Sequence, residues 1–92
     1  MEIKVYATLR DIVGGPVVHF DTGSPITVDG LLQDLCDQYP GMRPKLLYKK
    51  DWHPGAHILI NGRDMRYLDG LETTVSPTDE VRIFPPVGGG VR

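Results

Sequence analysis

TVDGLLQDLCDQYPG, residues 27–41, is where the period of the chain changes. Val28, Leu31, Leu32, Leu35, Cys36 and Tyr39 recur at helical spacing, with Asp29, Gln33, Asp34, Asp37 and Gln38 on the other side. That pattern predicts one amphipathic helix with a single apolar face to bury. Thr27 is a suitable N-cap, Asp29 complements the positive end of the helix dipole, and Pro40-Gly41 ends the run. Gly30 is a local cost inside the first turn.

On both sides of this helix the period is two. Upstream, EIKVYATLR (2–10) sets Ile3, Val5, Ala7 and Leu9 against Lys4, Tyr6 and Thr8, which predicts a strand with one buried face. After Gly14-Gly15, PVVHF (16–20) has the length and β-branched content of a hairpin partner, and Pro16 confines it to an edge or a strand start. Downstream, 42–55 reads as a short helical turn around Leu46 and Leu47 followed by a polar loop closed at Pro54-Gly55. AHILIN (56–61) is a strand that ends in the tight-turn pair Asn61-Gly62, RDMRYL is a short return strand, and DGLETTVSPTDE is turn-rich. VRIFP is the last strand, with Val81 and Ile83 on one side.

The order is thus β-β-α-β-β-β. A right-handed crossover through the helix can place a later strand parallel to the first. The economical solution is an α+β fold, with a mixed sheet of four to five strands wrapped around one main helix and the first and last strands at its centre. The helix would cover a face made by Ile3, Val5, Ile58, Ile60, Val81 and Ile83. This is a β-grasp, or ubiquitin-like, arrangement, expected to occupy residues 1–85 and to leave 86–92 as a flexible tail.

Composition narrows the function classes. The 92 residues suit one domain, and 40% apolar with 24% charged residues is ordinary globular composition. A formal charge of -2 with scattered basic residues argues against a nucleic-acid partner. One cysteine excludes an internal disulfide, and the chain starts as a strand rather than an apolar signal core, so a cytoplasmic setting is expected. No stretch approaches the roughly 20 apolar residues that span a bilayer. Cys36, on the apolar helix face, reads as a buried small hydrophobe rather than a persulfide carrier. His19, His53 and His57 lack metal-ligand spacing, Trp52 and Tyr48 read as aromatics closing a core edge, and no nucleophile-base set can be assembled. No enzyme is expected.

The unusual feature is the ending, PPVGGGVR (85–92). Three glycines cannot hold a fold together, but they let a backbone enter a narrow channel. Extended residues from 85 to 90 would reach about 20 Å, and Pro85-Pro86 restrict the base of the arm. The glycines are not a phosphate cradle, since no helix follows them.

The stretches KVYATLRDIVGG, TVDGLLQDLCDQYPGMRPKL, ILINGRD and DEVRIFPPVGGG resemble the MoaD/ThiS family of ubiquitin-like sulfur carriers over nearly the whole chain. The resemblance implies that an E1-like enzyme adenylates the terminal glycine with ATP and that a sulfur donor converts it to a thiocarboxylate for a sulfur-accepting synthase. The carrier itself binds no cofactor or metal and is a monomer when free. In the frame Pro-Pro-Val-x-Gly-Gly the reacting residue is Gly90, with Gly88 and Gly89 in the arm before it. Val91-Arg92 lie beyond the frame, so the resemblance implies their removal first, by a JAMM-type metalloprotease. By strand alternation Phe84 and Leu59 face away from the helix as exposed apolar residues, unless the segment 42–55 folds over them. With Arg82, Pro86 and Val87 they form the expected partner-binding surface. Family members serve cysteine, cofactor or thiolated-tRNA synthesis. The segment YLDGLETTVSPTDEV is closer to cysteine-forming carriers than to molybdopterin subunits. A small subunit of molybdopterin synthase and a ubiquitin-like modifier joined to lysines are the two alternatives.

Overall fold

The computed structural model describes residues 1–48 and 51–86. Its strands are β1 (Glu2–Val5), β2 (Val17–His19), β3 (Ile26–Thr27), β4 (Leu47–Tyr48), β5 (Asp51–Trp52), β6 (His57–Ile60), β7 (Arg63–Asp64), β8 (Thr74–Val75) and β9 (Val81–Phe84). The α-helices are α1 (Thr8–Val13), α2 (Val28–Gln38) and α3 (Arg43–Leu46). Five strands form one mixed sheet in the order β2-β1-β9-β6-β7. β9 lies at its centre, parallel to β1 and antiparallel to β6. β2 pairs antiparallel with β1 at the edge, where Pro16 costs no ladder bond. The expected β-grasp is thus present, with the last strand parallel to the first.

The helix forms as its sequence dictates. Thr27 is extended (φ -74°, ψ 157°), and its hydroxyl oxygen accepts the Gly30 amide at 3.1 Å. Val28, Leu31, Leu32, Leu35 and Cys36 are buried against the six sheet residues expected to face them, all of which lie in the core. A side chain at Gly30 would meet Ile26 Cγ1 at 3.0 Å, so the glycine lets β3 enter the helix closely. Asn61-Gly62 is the predicted hairpin turn, both residues at positive φ (51° and 84°), as a two-residue turn requires.

Three expectations are corrected. The first strand does not run to Arg10. It ends at Val5, the chain reverses at Ala7 (φ 52°), and Thr8–Val13 is helical. Arg10 Nε donates to the Val5 carbonyl at 2.9 Å, and Leu9 enters the core from the helix rather than from the sheet. Leu9 satisfies both periods, while Ile12 and Val13 at i+3 and i+4 carry the helical one. The polar loop after Leu46 contains a small hairpin, β4–β5. The return strand after Gly62 is two residues long and gives way to a 3-10 turn at Met65–Tyr67, while β8 pairs with β3 in a separate ribbon.

Candidate functional site

β9 delivers the chain to its C-terminal end, so the candidate site is the outer sheet face around that strand. Val81 and Ile83 are fully buried under α2, which turns Arg82 and Phe84 outward. Register then selects the neighbours. Leu59 on β6 lies opposite Arg82 and His57 opposite Phe84, while Lys4 on β1 flanks Arg82 from the other side. β1 runs parallel to β9, and Tyr6, the residue after its end, reaches Phe84. The two rings stack with centroids 4.2 Å apart and planes 8° from parallel. The Arg10 guanidinium stands 5.0 Å from the Tyr6 centroid, a cation-π contact that continues the stack.

Phe84 and Leu59 are half-buried rather than fully exposed. Tyr6 shields part of Phe84. Among its described residues, part of the segment 42–55 lies away from this face. Leu46, Leu47 and Trp52 line a cavity of about 70 Å³ with Leu32, Gln33 and Cys36 of α2, on the helix side of the molecule. Cys36 is 2% exposed, and its thiol is pushed up from its ordinary pKa, chiefly by burial, with Arg43 opposing and Asp37 adding. A thiol so protonated is a poor nucleophile.

Charge frames the apolar centre. Glu80 lies 3.7 Å from Lys4 Nζ and 3.2 Å from Arg82 Nε, both as solvent-screened ion pairs. Arg82 Nε is itself shielded from solvent and lacks hydrogen-bond alignment with Glu80. On the β6–β7 side, Asp64 Oδ2 is 3.0 Å from His57 Nδ1, and Asp64 Oδ1 accepts the Arg66 amide at 2.8 Å. Burial alone would raise the Asp64 carboxyl. The Arg66 amide, the hydrogen bond with the His57 ring and the Arg66 charge outweigh it and hold that carboxyl below the usual range. Arg66 Nη1 also lies 3.2 Å from His57 Nδ1, so that nitrogen either donates to Asp64 or accepts from Arg66.

Pro85 is buried at the end of β9, and Pro86, assigned from sequence to the tail, is in contact distance of the Gly55 position. Phe84, Leu59, Arg82 and Pro86 are therefore brought to one end of one face. Val87, Gly88, Gly89, Gly90 and Val91-Arg92 lie outside the described residues. Sequence reasoning overlooked Tyr6 and Arg10 because it placed them within one strand, although Tyr6 was already on the correct alternation. Tyr67, 83% exposed beside Leu68, was not singled out either. Among the described residues no three His, Cys, Asp or Glu side chains gather into a metal-sized group, and no helix is long and apolar enough to cross a membrane.

Comparison with known proteins agrees with this architecture. A model described as the ThiS family matches residues 3–90. Small archaeal modifier protein 3 of Haloferax volcanii is 33% identical over 90 residues, covering 98% of each chain. Sulfur carrier protein CysO of Mycobacterium tuberculosis is 29% identical over 91 residues, 96% of each. Among solved structures, small archaeal modifier protein 1 of Methanosarcina acetivorans superposes with a TM-score of 0.81 at 34% identity, covering 97% of this chain and 94% of its own. A chain of the BexX/CysO complex of Amycolatopsis orientalis gives 0.78 at 28% identity, covering 97% and 98%.

Proposed function

The chain belongs to the ThiS family of ubiquitin-like sulfur carriers and small modifiers, which are not enzymes, and from that premise we propose that it carries sulfur as a thiocarboxylate on Gly90. In this reading the activating partner joins the Gly90 carboxylate to the α-phosphate of ATP, releasing pyrophosphate. A sulfur donor then displaces AMP. The free carboxylate resists nucleophiles, and the acyl adenylate provides the leaving group it lacks. All of that chemistry is the partner's, and the carrier contributes a terminus that can reach it.

The observation that carries the proposal is continuity. Phe84, stacked on Tyr6 in the outer face, is followed directly by Pro85 and Pro86, so a protein docked on that face has the root of the Gly-rich arm beside it. The complex from which the Amycolatopsis chain comes supports a docking mode of life for relatives of this fold. The family match runs to residue 90, which supports Gly90 as the working terminus and Val91-Arg92 as residues to be removed, in our reading by a metalloprotease of the JAMM type. The likeness to a sulfur carrier protein, CysO, supports the carrier reading, and the segment 67–81 favours cysteine formation as the receiving pathway.

The relatives called small archaeal modifiers favour a second reading, in which activated Gly90 is passed to a lysine amine as an isopeptide. Both readings need the same activation. Pyrophosphate release is therefore measured with an activating enzyme and ATP, comparing a chain that ends at Gly90 with the full chain. Release by the shorter chain only is expected. Equal release by a full chain that keeps Val91-Arg92 would sink the precursor reading, and no release by either would sink activation through Gly90. Adding sulfide or a protein amine then separates carrier from modifier.

A further inference from the structure

Pro86 leaves the sheet against a prepared surface. A Cβ built on Gly55 would lie 3.2 Å from Pro86 Cβ and 3.3 Å from His53 Cε1, so a methyl group there would press on both side chains, and the glycine lets the pyrrolidine sit close to the loop. Gly55 belongs to the loop 53–56, which joins β5 to β6. Several bonds shape that loop, some within it and some to Leu46 and Trp52 before it. The His53 amide donates to the Leu46 carbonyl and the Ala56 amide to the His53 carbonyl, while the Gly55 amide donates to His53 Nδ1 at 2.9 Å. Trp52 Nε1 donates to the Ala56 carbonyl at 3.2 Å.

A further restraint comes from the other side, beyond β7. Arg66 Nη2, in the turn after β7, donates at 2.6 Å to each of the carbonyls of Pro54 and Ala56, the two residues that flank Gly55. A single charged nitrogen thus spans the peptide units on either side of the seat, and charge-assisted bonds are the stronger kind. Arg66 is itself held by its amide bond to Asp64. Removing its head group would take the charged donor from both the Pro54 and Ala56 carbonyls.

We propose that Arg66 is a positioning residue for the C-terminal arm. By holding the Pro54 and Ala56 carbonyls it fixes the Gly55 seat under Pro86, and so sets where the arm departs before an activating enzyme takes it. The consequence for activation rests on the proposed function above. Docking is made by the sheet face around Phe84, whereas entry of the arm into the partner follows docking. A root fixed in advance reduces the orientational freedom lost in that second step. Loosening it therefore lowers kcat and leaves KM nearly unchanged, while an Arg66 that merely touched the partner would act through KM.

The test uses chains ending at Gly90: wild type, Arg66→Gln and Gly55→Ala. Gly55→Ala crowds Pro86 from below with Arg66 and its charge intact. Amide relaxation at Gly55 and carbon relaxation at Pro86 read the root directly, and steady-state pyrophosphate release with an activating enzyme, ATP and sulfide as acceptor reads activation. Both variants are expected to remain folded by thermal melting and to show faster motion at Pro86. Each should lose about tenfold in kcat, equivalent to about 1.4 kcal/mol, with KM within about twofold. Should Arg66→Gln fail to fold, Gly55→Ala decides. A wild-type chain that releases no pyrophosphate overturns the proposed function and this role with it. A wild-type chain that does, beside variants with unchanged kcat or a raised KM only, overturns this role alone.

Discussion

Phe84 has one ring face against Tyr6 and lies on the side of the sheet from which the arm departs. The stack holds the ring in a defined orientation, so little side-chain freedom remains to be lost when another protein covers it. Half-buried aromatics of this kind are common anchors of interfaces, and a carboxylate in the same place would have to be desolvated without a partner. Phe84→Asp is expected to weaken binding to the activating enzyme at least tenfold, about 1.4 kcal/mol, and Leu59→Asp by less. Titration calorimetry on variants shown to be folded measures both. Unchanged affinity in both would mean that the arm is recognised without the sheet face.

At the scale of elements, α2 is the wall against which the whole sheet packs, and its start is secured by one side chain. Leu35, fully buried in the middle of the helix, should cost about 2–5 kcal/mol on replacement by Ala. Thr27→Ala should cost about 1 kcal/mol through loss of the bond from the Gly30 amide. Denaturant titration of both variants checks the order. A Leu35→Ala loss no larger than that of Thr27→Ala would mean that the core does not depend on this face. Elements of this kind are legible because period, cap and stop signal agree, as they do over residues 27–41. Thr8–Val13 was not, because alternation through Leu9 fits a strand equally well and only the turn at Ala7 decides between them. The two-residue strands β3, β4, β5, β7 and β8 carry no period at all and are defined by their partners. The site divides in the same way. Phe84, Leu59 and Arg82 follow from alternation along β6 and β9, whereas the seat of Pro86 on Gly55 and its support from Arg66 join three distant parts of the chain.

Over the whole molecule, the fold turns a short chain into a rigid mount for its own end. β9 is the central strand, paired on both sides, with one face sealed by α2 and the other lined by Tyr6, Leu59 and Arg82. The chain that follows it begins from a position determined by the entire sheet. A terminus so mounted can be offered repeatedly to different partners without the domain taking part in the chemistry. We propose that this terminus, at Gly90, is the group that carries sulfur. The intact mass of a chain ending at Gly90, taken after incubation with ATP, an activating enzyme and sulfide and with fragmentation to locate any change, tests this. Exchange of one oxygen for one sulfur is expected, confined to the carboxylate of Gly90 and absent when Val91-Arg92 remain. Sulfur found on Cys36 instead, or no exchange in a chain that is nonetheless adenylated, would contradict it.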